Sequence, residues 1–173
     1  MKTALQILSD EHKNILAVIG SLLKECDSIE SGNKIDKNFF KKAIDFIEGY
    51  ADKFHHAKEE DILFVELCKD EVQMHCNPTQ QMLHEHDLGR NFIKELKKGI
   101  EKDNKDEIIK NARGYAHFLK DHIFKEDNIL YPIADESLSQ SVKNDILDKF
   151  KQVERELRKK KDKYLLFLKE LIQ

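Results

Sequence analysis

Apolar residues recur at helical spacing through five stretches of the chain, and no stretch alternates with a strand's period of two. That pattern predicts amphipathic α-helices and leaves no candidate strand. The 173 residues contain only six Gly and two Pro, so few points interrupt a helix. The length suits a single domain able to bury a core without disulfide staples.

The first stripe is Leu5, Leu8, His12, Ile15, Ile19, Leu22, Cys26 and Ile29, stopped by Ser31-Gly32-Asn33. Asp36 is a suitable N-cap for a second helix reaching about Lys69, with Phe39, Ala43, Phe46, His56, Glu60, Leu63 and Leu67 along one face. Lys53 falls on that face without an evident reason. Asn77-Pro78 opens a third helix carrying Met82, His86, Gly89, Ile93, Leu96 and Ile100. The fourth begins near Asn104, with Glu107 completing a possible capping box. Its face holds Ile108, Ala112, Tyr115, Leu119, His122, Glu126, Ile129 and Ile133, and Pro132 marks the expected end of its regular part. A fifth helix follows Ser139, through Val142, Ile146, Phe150, Val153 and Leu157 to Leu171. Its apolar stripe needs a cover, either the rest of the chain or a second copy of it.

Charged residues form 36% of the chain and the net charge is −3. The one basic run, Arg158 to Lys161, sits among acidic residues and reads as a solvated helix face, so nucleic-acid binding is not expected. The first dozen residues are charged and lack a cleavage site, and no apolar run approaches the roughly 20 residues needed to span a bilayer. The expectation is a cytoplasmic protein with no membrane role. Three cysteines (Cys26, Cys68, Cys76) do not suggest a disulfide framework. Cys68, His75 and Cys76 lack the paired spacing of a zinc site.

The chain also repeats itself. Glu11-His12 in the first helix is matched by Glu85-His86 in the third. Gly49-Tyr50 followed by His56 and Glu60 is matched by Gly114-Tyr115 followed by His122 and Glu126. Two helical hairpins with short loops favour an antiparallel up-down-up-down four-helix bundle, residues 1–135, with the additional C-terminal helix at 136–173. Histidines and glutamates on apolar faces need an explanation, because an uncompensated buried carboxylate costs several kcal/mol. Any one of these histidines alone is better read as an ordinary core or surface residue. Six at matched positions point to a metal centre built from His12, His56, Glu60, His86, His122 and Glu126. Residues four apart share a helix face, so each His-x-x-x-Glu directs both side chains at one volume. His86 is preferred to His84, which lies about 200° away around the helix. His56 and Glu60 are preferred to His55 and Glu59, because the first pair continues to Leu63 and Leu67 and the second to Ile62 and Glu66. His55, His84 and His117 are expected at the surface or behind the ligands.

In order, His12, His56-x-x-x-Glu60, Glu85-His86-Asp87-Leu88-Gly89-Arg90 and His122-Ile123-Phe124-Lys125-Glu126-Asp127-Asn128-Ile129-Leu130-Tyr131-Pro132 resemble the hemerythrin-like, HHE cation-binding family over about residues 1 to 135. The resemblance implies two iron ions with an oxo or hydroxo bridge, zinc or manganese being possible substitutes. His12, His56, His86 and His122 would be terminal ligands, and Glu60 and Glu126 the bridges. It implies binding, sensing or reaction with dioxygen, nitric oxide or peroxide. The alternatives are iron or zinc storage or delivery, or a helical interaction module with a homodimer seam on the last helix. Oxygen-carrying relatives place a second histidine one turn along the third helix, where this chain has Met82 and Arg90. They also use Asp five residues after the last histidine; here Glu126, four residues after His122, takes that place, although Asp127 stands at the fifth. Both departures point away from reversible dioxygen carriage. Tyr115, seven residues before His122, is a further candidate to reach the centre.

Overall fold

The computed structural model describes residues 2–69, 72–74 and 77–172. Among the described residues every regular element is helical. Helix α1 spans Ala4–Glu30 and opens with a reciprocal cap between Thr3 and Gln6. Gly32, at φ 97°, reverses the chain after it. Helix α2 occupies residues 37–67 and starts where the Asp36 carboxylate accepts from Phe39 N at 2.9 Å. Helix α3 is Thr79–Glu101. The Asn77 side chain accepts from Thr79 N and Thr79 Oγ1, one residue earlier than a standard N-cap. Helix α4 covers residues 105–137, with Asn104 accepting from Glu107 N at 3.2 Å. Helix α5 is Gln140–Ile172.

Two helices change their winding near the middle of the molecule. Within α2, Lys37–Phe46 is α-helical, Ile47–His56 and Glu59–Leu63 are π-helical, and Phe64–Leu67 closes as an α turn. Within α4, a π turn at Glu126–Leu130 separates Lys105–Lys125 from Tyr131–Ser137. A π turn closes on the fifth residue rather than the fourth, so it advances the side-chain register by one residue, about 100°. This explains two departures from expectation. Lys53 is exposed rather than on the buried face, and Lys58 is buried instead. Pro132 does not end its helix, since the widened turn before it absorbs the backbone bond a proline cannot make.

Helix α4 packs against α1 and α3, while α5 lies on α1 and the π-helical part of α2. The apolar interior forms two clusters. One is centred on Ile15, Leu22, Phe40, Phe46, Leu96 and Ala112, the other on Leu8, Leu63, Leu67, Met82, Leu130 and Phe150. Each fully buried aliphatic or aromatic side chain contributes roughly 1.5–3 kcal/mol. The apolar stripe of α5 is covered by the chain itself: Ile146 and Phe150 join one cluster, and Tyr164, Phe167 and Leu168 the other. Between the clusters, at matching levels of α1 to α4, lies a layer of buried histidine and glutamate.

Candidate metal centre

That layer contains two groups of side chains able to hold a metal ion. His12, His55, Glu59 and Glu126 form one, and His56, His86 and His122 the other, with ligand atoms inside each group within 4.8 Å of one another. All seven residues are buried. The structure thus brings together His12, His56, His86, His122 and Glu126 of the six residues expected from sequence, together with His55 and Glu59. Glu60 is in neither group. Its carboxylate is partly exposed and accepts from His86 Nδ1 at 2.6 Å and Arg90 Nη2 at 2.6 Å. The physical reason is the π winding of α2. With one residue added to the turn, His55 and His56 both face inward, and Glu59 takes the inward position that regular α geometry assigns to Glu60. His84 and His117 are exposed, as expected, whereas His55 is not. Tyr115 is buried in the larger cluster and lines a cavity beside His56 and His86, without belonging to either group. His75 and Cys76 lie outside the described residues, and Cys68 is exposed with its thiol 3.3 Å from Thr79 Oγ1.

Four of the imidazoles bond a carboxylate on the side away from the centre. His12 Nδ1 donates to Asp127 (3.1 Å), His55 Nδ1 to Glu11 (2.9 Å), His86 Nδ1 to Glu60 (2.6 Å) and His122 Nδ1 to Glu85 (2.8 Å). Each of those carboxylates is itself held, Asp127 by Ser9, Glu11 by Lys58, Glu60 by Arg90, and Glu85 by Lys125 and Gln81. His56 is placed differently, stacked on His86 with ring centroids 3.8 Å apart and Nδ1 3.5 Å from Asp52. With Nδ1 donating outward, Nε2 keeps a free lone pair directed inward, the arrangement that fixes a histidine as a metal ligand.

The inward atoms lack partners of their own. His55 Nε2, His86 Nε2, His122 Nε2, Glu59 Oε2 and both Glu126 oxygens are buried without a hydrogen bond. Yet they crowd together. Glu126 Oε1 lies 3.0 Å from His122 Nε2 and 3.5 Å from His86 Nε2, while Glu126 Oε2 lies 3.2 Å from His12 Nε2. Glu59 Oε2 is 3.6 Å from both His55 Nε2 and His86 Nε2, and its other oxygen accepts from the Tyr131 hydroxyl at 2.6 Å. Buried polar groups normally find partners, and several orphans at one place call for a shared one. Glu126 reaches both groups with one oxygen each, as a carboxylate between two cations does.

Electrostatics agrees. Burial, aided by Glu126, pushes Glu59 up to about 8. Burial acts on Glu126 in the same direction, but the facing His122, His12 and His86 hold it well below the usual carboxylate range. Burial and then His86 push His56 down to about 4, which keeps it neutral and able to donate a lone pair. Burial pulls His12 and His86 down, but hydrogen bonds to Asp127 and Glu126 push His12, and hydrogen bonds to Glu126 and Glu60 push His86, up to about 10. Protons on these imidazoles thus meet the charge of Glu126 while Glu59 is left without a matching cation, and metal cations in the layer would take the place of those protons. Neutral imidazoles mixed with carboxylates suit iron, zinc or manganese.

The family model for the hemerythrin HHE cation binding domain matches residues 3–134. The chain belongs to this hemerythrin HHE family. No curated protein and no solved structure matches it significantly. The matched span contains every residue of both groups and ends within α4, before α5. Among the described residues no helix is long and apolar enough to cross a membrane.

Within this hemerythrin domain, sequence reasoning missed His55, Glu59, Tyr131 and the supporting roles of Glu11, Glu85 and Asp127. One signal was available. Aligning Lys58-Glu59-Glu60 with Lys125-Glu126-Asp127 sets His55, not His56, opposite His122. The structure bears out that register, since Lys58 and Lys125 hold Glu11 and Glu85, the two glutamates that precede His12 and His86.

Proposed function

We propose that this hemerythrin domain holds two iron ions with an oxo or hydroxo bridge, and that it binds, senses or reacts with dioxygen, nitric oxide or peroxide. His12, His55 and Glu59 serve one ion, His56, His86 and His122 the other, and Glu126 serves both. Glu60 and Asp127 orient His86 and His12. The observation that carries this reading is the set of orphaned inward atoms, with the two Glu126 oxygens divided between the groups. A bound pair of iron ions supplies Lewis acidity and one-electron chemistry in a layer closed off by apolar clusters. The chain's own part is to hold His12, His55, His86 and His122 each in one tautomer through an outer carboxylate, to seat His56 by stacking on His86, and to exclude bulk water. The hairpin repeat and the short connections at 31–36 and 102–104 support an antiparallel up-down-up-down order for residues 1–135, with 136–173 as the covering helix.

Metal analysis and an absorption spectrum of protein from iron-replete cells test this. About two irons per chain are expected, as in other two-metal bundles. Glu59→Ala or Glu126→Ala should remove at least one of them, while Glu60→Ala should retain both. Loss of iron from the Glu60 variant but not the Glu59 variant overturns the assignment. Iron that exchanges freely and gives no response to nitric oxide or peroxide indicates storage or delivery instead.

A further inference from the structure

Helix α5 meets α2 through a face that carries charge. Leu157, Lys160, Lys161 and Tyr164 follow one another at helical spacing, so they share one side of α5, and that side borders α2. Lysines on the docking side of a helix need a reason, because the opposite side offers them water at no cost. Lys53 poses the same question on α2. Regular winding assigns it to the buried face, and the π-helical stretch carries it to the groove beside α5 instead.

The two helices enclose a cavity of about 440 Å³. Lys53, Lys160, Lys161 and Lys163 line it, with Asp45 and Glu48 as the acidic residues. The charges do not cancel. Asp45 is taken by Lys163 at 2.5 Å, Glu48 by Lys97 of α3 at 2.8 Å, and Lys161 by Glu154 at 2.8 Å. Among the described residues Lys53 and Lys160 have no acidic partner, so two positive charges are left over at one cavity. Tyr164 is an independent sign. It is 8% exposed, yet its hydroxyl makes no hydrogen bond to any described residue. The hydroxyl rests over Gly49, also part of the lining, where any side chain would overlap it. Buried hydroxyls normally find a partner, and this one lies where the unpaired cations gather.

We infer that the groove between α2 and α5 binds a phosphate dianion, with Lys53 and Lys160 supplying the charge and the Tyr164 hydroxyl a hydrogen bond. A phosphate monoester carries about −1.5 to −2 charges at pH 7 and three acceptor oxygens, which suits two ammonium groups and one hydroxyl donor. Lysines hold such a group as point charges on flexible stems. Phe54 and Leu157 add apolar wall. The volume exceeds what free phosphate needs, since a water takes roughly 30 Å³. A monoester with a small organic body therefore fits better than the free anion. The site stands whether or not the histidine and glutamate layer holds metal.

Isothermal titration of the full-length chain with adenosine monophosphate and, separately, with inorganic phosphate tests this. Saturable binding is expected, tighter for the monoester. Tighter binding of inorganic phosphate would identify the free anion as the ligand of the same groove. Tyr164→Phe keeps the ring in its seat and should weaken binding about tenfold, since a hydrogen bond to a charged group is lost. Lys53→Ala combined with Lys160→Ala should weaken it at least as much. Lys120→Ala, at an exposed lysine of α4 outside the groove, should leave it unchanged. Affinity should also fall as pH drops below about 6, where the phosphate becomes a monoanion. Absence of saturable binding by either ligand overturns the inference. Wild-type affinity in both the tyrosine and the lysine variants overturns it too, because the phosphate then sits elsewhere, the metal layer included. An equal loss in Lys120→Ala reports diffuse surface attraction and has the same consequence.

Discussion

Lys58–Glu11–His55 and Lys125–Glu85–His122 are the same three residue types, related by the internal repeat, performing the same task at opposite sides of the centre. Their surroundings differ. Lys58 is fully buried, its ammonium 4.1 Å from the Phe54 ring and 5.4 Å from the Phe150 ring of α5. The Lys125 side chain is 36% exposed. Burial pushes Glu11 up and Lys58 down, and each is opposed chiefly by the other. Burial also pushes Glu85 up, but hydrogen bonds from Gln81, Lys125 and His122 outweigh it and hold the carboxyl below its ordinary value. A local sequence pattern can thus specify a hydrogen-bonded chain without specifying its dielectric surroundings. Helix α5, which covers only the first half, makes the difference.

The largest expected effect separates the two lysines. Lys58→Ala leaves the Glu11 carboxylate buried without its cation and is expected to cost about 3–5 kcal/mol in denaturant unfolding. Lys125→Ala, at a partly solvated pair, should cost under about 1 kcal/mol. Equal losses would show that α5 does not distinguish the two halves. Next comes Gly49→Ala, at the seat of α5, because a Cβ there would overlap the hydroxyl and ring of Tyr164. A loss of about 1–3 kcal/mol is expected from this overpacking. It should shrink in a Tyr164→Ala background, since contacting residues couple. An unchanged penalty in that background would mean that the cost lies within α2 alone. The smallest effect is ionic. Near 1 M salt, where the screening length is about 3 Å, the stability difference between wild type and Lys125→Ala should vanish. The difference for Lys58→Ala should persist. If both disappear in salt, the Lys58 pair is more solvated than its burial implies.

Much of this was legible from the amino acids. The limits of α1, the Asp36 and Asn104 caps and the inward placing of His86 over His84 all follow from helical periodicity and from side chains that satisfy free N–H groups. The inward glutamate of α2 was not legible by the same rule. A wheel drawn at 100° per residue chooses Glu60, and the π turns of α2 move the choice to Glu59. The same reasoning succeeds for His122 and Glu126 because the segment up to Lys125 is regular α-helix and the π turn begins at Glu126 itself. Pairing Lys58 with Lys125 across the repeat finds the correct register without any wheel.

The sequence by itself determined an all-helical chain, its caps and the four-helix origin of a buried histidine and glutamate layer. These depend on residue type and on spacings within a few positions, which local sterics and solvation enforce. Tertiary structure alone decided which of two adjacent histidines and glutamates faces which group, that both His55 and His56 point inward, and that the lysine of one Lys–Glu–His chain is sealed while its counterpart in the repeat reaches solvent. Those outcomes turn on widened backbone turns and on where α5 rests. Both are settled by contacts between residues far apart in the chain, where no local spacing records them.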